Sequence, residues 1–238
     1  MGTELLTEAE RETKQAGAEF WDANPCGGAW KSYREFLDWY RATEPYIYEI
    51  LDRYDWRGVE AVEVGCGQGT LVNHLAPKGA LVTGIDMSLG SIARAMAGAR
   101  ELGHADRVRL LRADAERLPF ADASFDAALS GGVLHHTPDI RAGIAEIHRV
   151  LRPGGTLVLA ETVEDNPLLR IGRKVHDSWD GVGIHGHFTA RSLLQEVGAA
   201  GLQVVDQRQH SLLSFAAWAL PAGIDRRAWH ALYGVEAR

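Results

Sequence analysis

Apolar residues along this chain follow two spacings, short continuous runs and longer stretches with a helical period. The runs predict strands at Glu60–Val64, Ala80–Ile85, Val108–Arg112, Phe125–Ser130 and Thr156–Ala160. Between them, apolar positions three and four apart predict helices up to Leu75, over Ser88–Leu102 and over Ile140–Leu151. Strands of this buried kind that alternate with helices are typical of a parallel sheet. The pattern therefore predicts an α/β fold.

Other segments of the chain depart from this alternation. Residues 1–57 are rich in Trp and Tyr at helical spacing, and we expect an N-terminal helical cap there. We expect the core domain over residues 58–211, interrupted at about 162–187 by a glycine-rich insertion. Long insertions of this kind are usually lids or binding loops. We expect residues 212–238 to be an apolar, helix-like tail.

A glycine-rich loop follows the first strand, in the sequence VEVGCGQG at residues 62–69. Glycine lets the backbone turn tightly and approach a ligand closely, although an ordinary strand-to-helix turn would also explain the loop. A dinucleotide site has the spacing G-x-G-x-x-G, but the sixth position counted from Gly65 is Thr70. Glu63, beside Gly65 and Gly67, would repel a phosphate and attract a cation. The loop therefore favours S-adenosylmethionine, which carries a sulfonium and an ammonium, over NAD.

Two further acids follow the next two strands. Asp86 is placed to accept hydrogen bonds from ribose hydroxyls, and we assign Met87 beside it to the same cofactor site. Asp86 could instead cap the next helix, for which Ser88 is also available. Asp114 could accept the adenine amino proton while Ala115 donates its backbone N–H to a ring nitrogen, or Asp114 could serve only a turn. Because parallel strands end at one edge, these groups point to one ligand site.

Bulk properties exclude several classes of protein. The chain has 238 residues, 46% of them hydrophobic and 24% charged, which fits one globular domain with appendages. A net charge of -7 argues against a nucleic-acid partner, which needs a basic surface. Two cysteines give no disulfide framework, and no apolar run is long enough to span a membrane. We therefore expect a cytoplasmic protein.

Four motifs in order resemble the class I S-adenosylmethionine-dependent methyltransferases: VEVGCGQG, GIDMS, RADAERLPFADASFDAALSGGVLHH and LRPGG. The resemblance covers roughly residues 58–160 and is strongest to the small-molecule branch with the ubiquinone/menaquinone-type and natural-product enzymes. It implies a Rossmann-like, seven-stranded, mostly parallel sheet with an antiparallel last strand. After a helix at Ala190–Gly198, strand Leu202–Gln209 would join that sheet.

The same resemblance implies roles for individual residues. Gly65 and Gly67 would contact the methionine portion of the donor and Asp86 its ribose. Asp114 and Ala115 would contact the adenine. Ser130, at the end of strand four, would line the donor near its reactive centre.

The acceptor is expected to be a small, hydrophobic or aromatic metabolite, methylated on O, C or N. Methyltransferases that act on DNA or protein amides resemble one another in a motif N/D-P-P-Y/F after strand four. This chain has the sequence SGGV there, at Ser130–Val133. Histidine can act as a general base, and the candidates are His135, His185 and His187. A structural role for His135 is an alternative. The H-x-H spacing of His185 and His187, together with His176, also fits a metal site, but we expect no metal.

Two other functions remain open on the sequence alone. One is an NAD-dependent oxidoreductase, which the loop spacing disfavours. The other is a non-catalytic protein that binds S-adenosylmethionine. A homodimer is also left open.

Overall fold

The computed structural model describes residues 7–23, 31–163, 165 and 188–208. Its helices are α1 Glu8–Ala23, α2 Tyr33–Thr43, α3 Pro45–Leu51, α4 Val72–Leu75, α5 Leu89–Glu101, α6 Ile140–Val150 and α7 Ala190–Ala199. Its strands are β1 Glu60–Val64, β2 Leu81–Asp86, β3 Val108–Arg112, β4 Phe125–Gly131 and β5 Leu151–Ala160. Within the part of the chain described, no helix is long and apolar enough to cross a membrane.

The five strands form one parallel sheet in the order β3-β2-β1-β4-β5. In β1, Val62 lies beside Thr83 of β2 and Ala128 of β4. The strand order reverses at β1, and open α/β sheets bind ligands at such a point, outside the carboxyl ends of the strands. The topology therefore brings the ends of β1, β2 and β4 together at a ligand-binding edge.

Apolar side chains cover both faces of the sheet because successive residues of a strand point to opposite sides. On one face, Leu129 packs with residues of α3 and α4, including Leu51 and Leu75. On the other, Val62 and Val64 pack with residues of α6, among them Ile147. The result is a Rossmann-like layer of sheet between two layers of helices.

The predicted strands and helices of the core are confirmed, with small shifts at their ends. Strand β5 begins at Leu151, five residues before the predicted Thr156. The pairing with β4 shifts register between Phe125 and Ala127, which lets the chain through Pro153 remain next to β4. Helix α6 accordingly ends at Val150 instead of Leu151.

The prediction of seven strands is wrong for the described residues, which form five. Residues 202–208 carry no strand, although one was predicted at Leu202–Gln209. Val205 is 88% exposed, and among the described residues no strand pairs with the backbone of this segment. Gln209, the tail 212–238 and nearly all of the lid 162–187 lie outside the described residues.

Candidate functional site

The glycine loop connects β1 to α4 at the ligand-binding edge of the sheet. Gly65, Gly67 and Gly69 all have positive φ, at 70°, 50° and 78°, a region that glycine enters without strain. A Cβ on Gly65 would lie 2.3 Å from a methyl carbon of Val133 in the segment after β4. At Gly67, by contrast, a Cβ would meet nothing within 4 Å. The loop is packed on one side and open on another, as a ligand cradle requires.

Asp86, the last residue of β2, holds this loop. One carboxylate oxygen accepts from the Gly67 N–H at 2.8 Å and the other from the Ser88 N–H at 2.8 Å. Ser88, through its own hydroxyl, is the residue that caps α5. Burial raises the pKa of Asp86 despite these backbone donors. The alternative of Asp86 as the helix cap is therefore wrong, and its carboxylate lies directly beside the glycine loop.

Glu63 lies beneath the loop and is 4% exposed. Its carboxylate accepts from the Val72 N–H at 2.7 Å, at the start of α4. Burial, reinforced by the nearby Asp86 carboxylate, raises the pKa of Glu63 to about 8. A cation near this carboxyl would favour its ionised form, which burial otherwise disfavours. The site therefore gains most from a positively charged ligand.

Asp114 lies past the end of β3, where its carboxylate has two partners. One oxygen accepts from the Glu116 N–H at 2.9 Å, which is the turn role considered from sequence. The other lies 2.5 Å from Lys14 Nζ on α1. Lys14 also lies 2.5 Å from a carboxylate oxygen of Glu116, and Ala115 between the two acids is buried. Burial lowers the pKa of Lys14, but the two carboxylates outweigh burial and the net pKa is raised.

Helix α1 contacts three strand ends through side chains that the sequence gave no reason to select. Besides Lys14 near β3, Asp22 accepts from the Ser88 hydroxyl at 2.5 Å and from the Gly90 N–H at 2.8 Å, just after β2. Trp21 packs edge-on against His136, after β4, with ring centroids 5.1 Å apart. Helix α1 therefore lies across the ligand-binding edge.

Two further predicted cofactor residues differ in their surroundings. Ser130 of β4 is fully buried between Val64 and Leu159, and its hydroxyl has no hydrogen-bond partner among the described residues. Met87 is half-buried, and its carbonyl accepts from Arg112 Nε at 3.0 Å. An orphaned polar atom at the end of β4 fits a site built to be completed by a ligand.

His135 lies in a 3-10 turn, Leu134–His136, between β4 and α6. Its Nδ1 lies 2.7 Å from a carboxylate oxygen of Glu161, whose side chain is fully buried after the end of β5. The other Glu161 oxygen accepts from the N–H groups of Val133 and Leu134, at 2.9 and 2.7 Å. A carboxylate can only accept, so in the neutral imidazole the proton is on Nδ1 and the lone pair on Nε2. Sequence reasoning missed Glu161, although an acid directly after a predicted strand was a usable signal.

The remaining predicted bases, His185 and His187, lie outside the described residues. Among the residues that the structure does describe, no group of three or more His, Cys, Asp or Glu side chains could hold a metal ion.

The residues at this edge fit S-adenosylmethionine on three observations. Gly67 faces open space, Ser130 presents an orphaned hydroxyl, and Glu63 and Asp86 are buried carboxyls whose ionised forms a cation would stabilise. A dinucleotide phosphate at the glycine loop would be repelled by the Glu63 carboxylate. The charge of the site therefore suits a sulfonium donor.

Comparison with known proteins agrees with this geometry. A family model described as a methyltransferase domain matches residues 62–159. The O-methyltransferase rstn1 of Aspergillus nomiae is 33% identical over 177 residues, which are 73% of this chain and 79% of that protein. The chain spans 65% or less of the length of several other curated relatives.

Solved structures share the fold. The cyclase SpnF superposes with a TM-score of 0.62 at 30% identity, covering 81% of this chain and 73% of that one. A S-adenosylmethionine-dependent methyltransferase of Methanosarcina mazei superposes with a TM-score of 0.54 at 29% identity, covering 64% of this chain and 84% of that one. No NAD-dependent oxidoreductase is among these similar proteins, and the alternative of a non-catalytic binding protein gains no support from them.

Proposed function

This chain belongs to the class I S-adenosylmethionine-dependent methyltransferases, and we propose that it methylates an oxygen atom of a small, hydrophobic or aromatic metabolite. The choice of oxygen over carbon or nitrogen is supported by relatives named as O-methyltransferases. Its cofactor is S-adenosylmethionine. Three points stay predictions: that the protein has no nucleic-acid partner, that it can form a homodimer, and that it is cytoplasmic.

The observation that carries the proposal is the hydrogen bond between His135 and the buried Glu161, on the segment that follows β4. Val133, two residues before His135, lies against Gly65 so closely that no side chain would fit there. Glu161 anchors the same segment through two backbone N–H groups and the imidazole. A base of defined tautomer therefore lies on the segment that packs against the donor loop.

The chemistry follows from these positions. When bound, the donor supplies an electrophilic methyl group on a sulfonium. A hydroxyl acceptor must lose its proton as its oxygen forms the new bond, and His135 Nε2 would take that proton as a general base. Glu161 would stabilise the imidazolium that results, as the buried acid does in other carboxylate–histidine pairs.

The donor site proper is proposed from the same edge. The backbone of Gly65 and Gly67 would contact the methionine portion, with Glu63 beneath it. Asp86 and Met87 would lie at the ribose. Asp114 and Ala115 would lie at the adenine and Ser130 near the sulfur. In this arrangement Lys14, which lies 2.5 Å from one oxygen of Asp114, would compete with the adenine amino group for that carboxylate.

Methyl transfer is tested with donor labelled on its methyl group and a panel of phenols and hydroxylated apolar metabolites. We expect label in the product and a fall in kcat of about 10²- to 10⁴-fold in His135→Gln, the range for loss of a general base. His148→Gln is the matched control because His148 is exposed on α6, and it should retain wild-type kcat. The kcat of Glu161→Gln should also be lower than that of the wild type.

Two outcomes would count against the proposal: one against methyl transfer itself, the other against the role of His135. Donor binding with no labelled product from any acceptor would argue against methyl transfer. Label transferred at the wild-type rate by His135→Gln would leave methyl transfer standing and remove His135 as the base.

A further inference from the structure

Tyr33, the first residue of α2, reaches from the N-terminal helices to the far half of the glycine loop. Its hydroxyl oxygen lies 2.7 Å from the Gln68 carbonyl oxygen and 2.9 Å from that of Gly69. Burial raises the pKa of Tyr33 far above its usual value, so the hydroxyl keeps its proton and donates. Asp86 holds the loop at Gly67, and Tyr33 holds it at Gln68 and Gly69.

Asn73 extends this contact into a buried network. Its side-chain nitrogen lies 2.8 Å from the Tyr33 hydroxyl oxygen and 2.9 Å from the Gly69 carbonyl oxygen. The Asn73 amide oxygen therefore accepts, and it lies 2.8 Å from Nε2 of His104. Burial lowers the pKa of His104, which favours a neutral ring with its proton on Nε2. The tyrosine hydroxyl thus belongs to a polar network with defined donors and acceptors.

The tyrosine ring is seated on α5 at a glycine. A Cβ on Gly98 would lie 2.5 Å from two carbons of the Tyr33 ring, so only glycine leaves room for it there. Glycine is unfavourable inside a helix relative to alanine, and this contact gives its physical reason. The carboxylate of Glu101 accepts from the N–H groups of Tyr33 and Arg34 at 3.0 and 3.2 Å. The start of α2 is therefore docked on α5.

We infer that Tyr33 is a positioning residue for the donor loop, through which α2 controls donor affinity. The inference rests on the proposed function. Without the hydroxyl, the carbonyls of Gln68 and Gly69 lose a donor, and the loop samples conformations that do not fit the donor. Apparent affinity then falls in proportion to the fraction of molecules in the competent conformation.

Tyr33→Phe tests the inference, because it keeps the ring over Gly98 and removes only the hydroxyl. Tyr54→Phe is the matched control, since Tyr54 is 49% exposed and precedes β1, whereas the loop follows it. Titration calorimetry with S-adenosylhomocysteine should show Kd raised about three- to tenfold in Tyr33→Phe, the effect of about one net hydrogen bond. The KM for the donor should rise by the same factor, with kcat at saturating donor close to wild type. Tyr54→Phe should match wild type in both.

The outcomes separate this inference from the function on which it rests. If the wild-type protein binds no S-adenosylhomocysteine, the proposed function and the inference both fail. If the wild type binds and Tyr33→Phe has the same Kd, or loses only thermal stability and kcat, the positioning role alone is wrong. Glu101→Gln serves as a second variant that leaves the loop contacts in place. It should raise Kd in the same direction by a smaller factor, and an unchanged Kd would contradict control by α2.

Discussion

Single carboxyl groups define the chemistry of this site because burial changes what they prefer to bind. Glu63 lies beneath the glycine loop with its pKa raised to about 8, and the Asp86 pKa is raised as well. A buried acid gains far more from a cation than an exposed one, since little water screens the interaction. The buried Glu63 therefore favours a cationic ligand over a phosphate-bearing one at the loop.

The first prediction concerns proton release on donor binding at Glu63. The folded pKa is raised above its unfolded value of 4.5, so the folded chain holds a proton that the unfolded chain gives up between about pH 4.5 and 8. This residue's contribution to stability therefore falls as pH rises through that window. A cationic donor favours the ionised form, so binding should release a proton and affinity should rise with pH, by up to about tenfold per unit.

Calorimetry in two buffers of different ionisation enthalpy measures this release. At pH 7 the wild type should release a proton on binding S-adenosylmethionine. Glu63→Gln should release far less, because it lacks the carboxyl group at this position. S-adenosylhomocysteine lacks the sulfonium and should release less. Glu60→Gln, at the exposed start of the same strand, should behave as wild type. Equal proton release by Glu63→Gln and wild type would contradict the linkage.

At the scale of elements, helix α1 lies across the ends of β2, β3 and β4. Its contact near β3 is made by Lys14, whose side chain is only 9% exposed between two carboxylates. Charge-assisted hydrogen bonds that are shielded from water are stronger than surface ion pairs. Opening α1 at this point therefore requires separation of a stable charge cluster.

The second prediction is that Lys14→Met speeds donor entry. Methionine keeps an apolar side chain of similar length and frees Asp114 for the adenine amino group. Stopped-flow association of S-adenosylhomocysteine should accelerate about tenfold, the effect of one hydrogen bond to a charged group. The exposed Lys31→Met should associate at the wild-type rate. A slower association in Lys14→Met would show that Lys14 assists the donor instead of competing with it.

At the scale of the whole molecule, two apolar layers hold the sheet that presents the site. Leu129, in β4, is fully buried, and its strand lies between β1 and β5. Its neighbour in β1 is Glu63, so the core and the donor site share these two strands. Stability of the core and order of the site are therefore coupled through a common backbone.

The third prediction is that Leu129→Ala costs about 2–5 kcal/mol of unfolding free energy, from lost burial and the cavity left behind. Leu81→Ala, on a side chain 47% exposed, should cost far less. Urea unfolding monitored by circular dichroism measures both, with and without saturating S-adenosylhomocysteine. A similar loss in the two variants would contradict the assigned core.

The sequence alone determined which segments of the core are strands and helices, their succession along the chain, and the place of the glycine loop. Those features depend on local periodicity, on glycine and on acids at strand ends, all of which can be identified from neighbouring residues in the sequence. It failed at residues 202–208, because a short apolar run becomes a strand only when another strand supplies its hydrogen bonds.

Only the tertiary structure decided which side chains meet across the fold. Glu161 with His135, Lys14 with Asp114 and Tyr33 with Gly69 are separated by 26, 100 and 36 positions along the chain. Such pairs depend on how helices pack on the sheet, and no spacing in the sequence encodes them. The sequence predicts a donor site at the ends of β1 and β2 because that prediction needs only local motifs. The proposed base and the residues that hold the loop depend on packing.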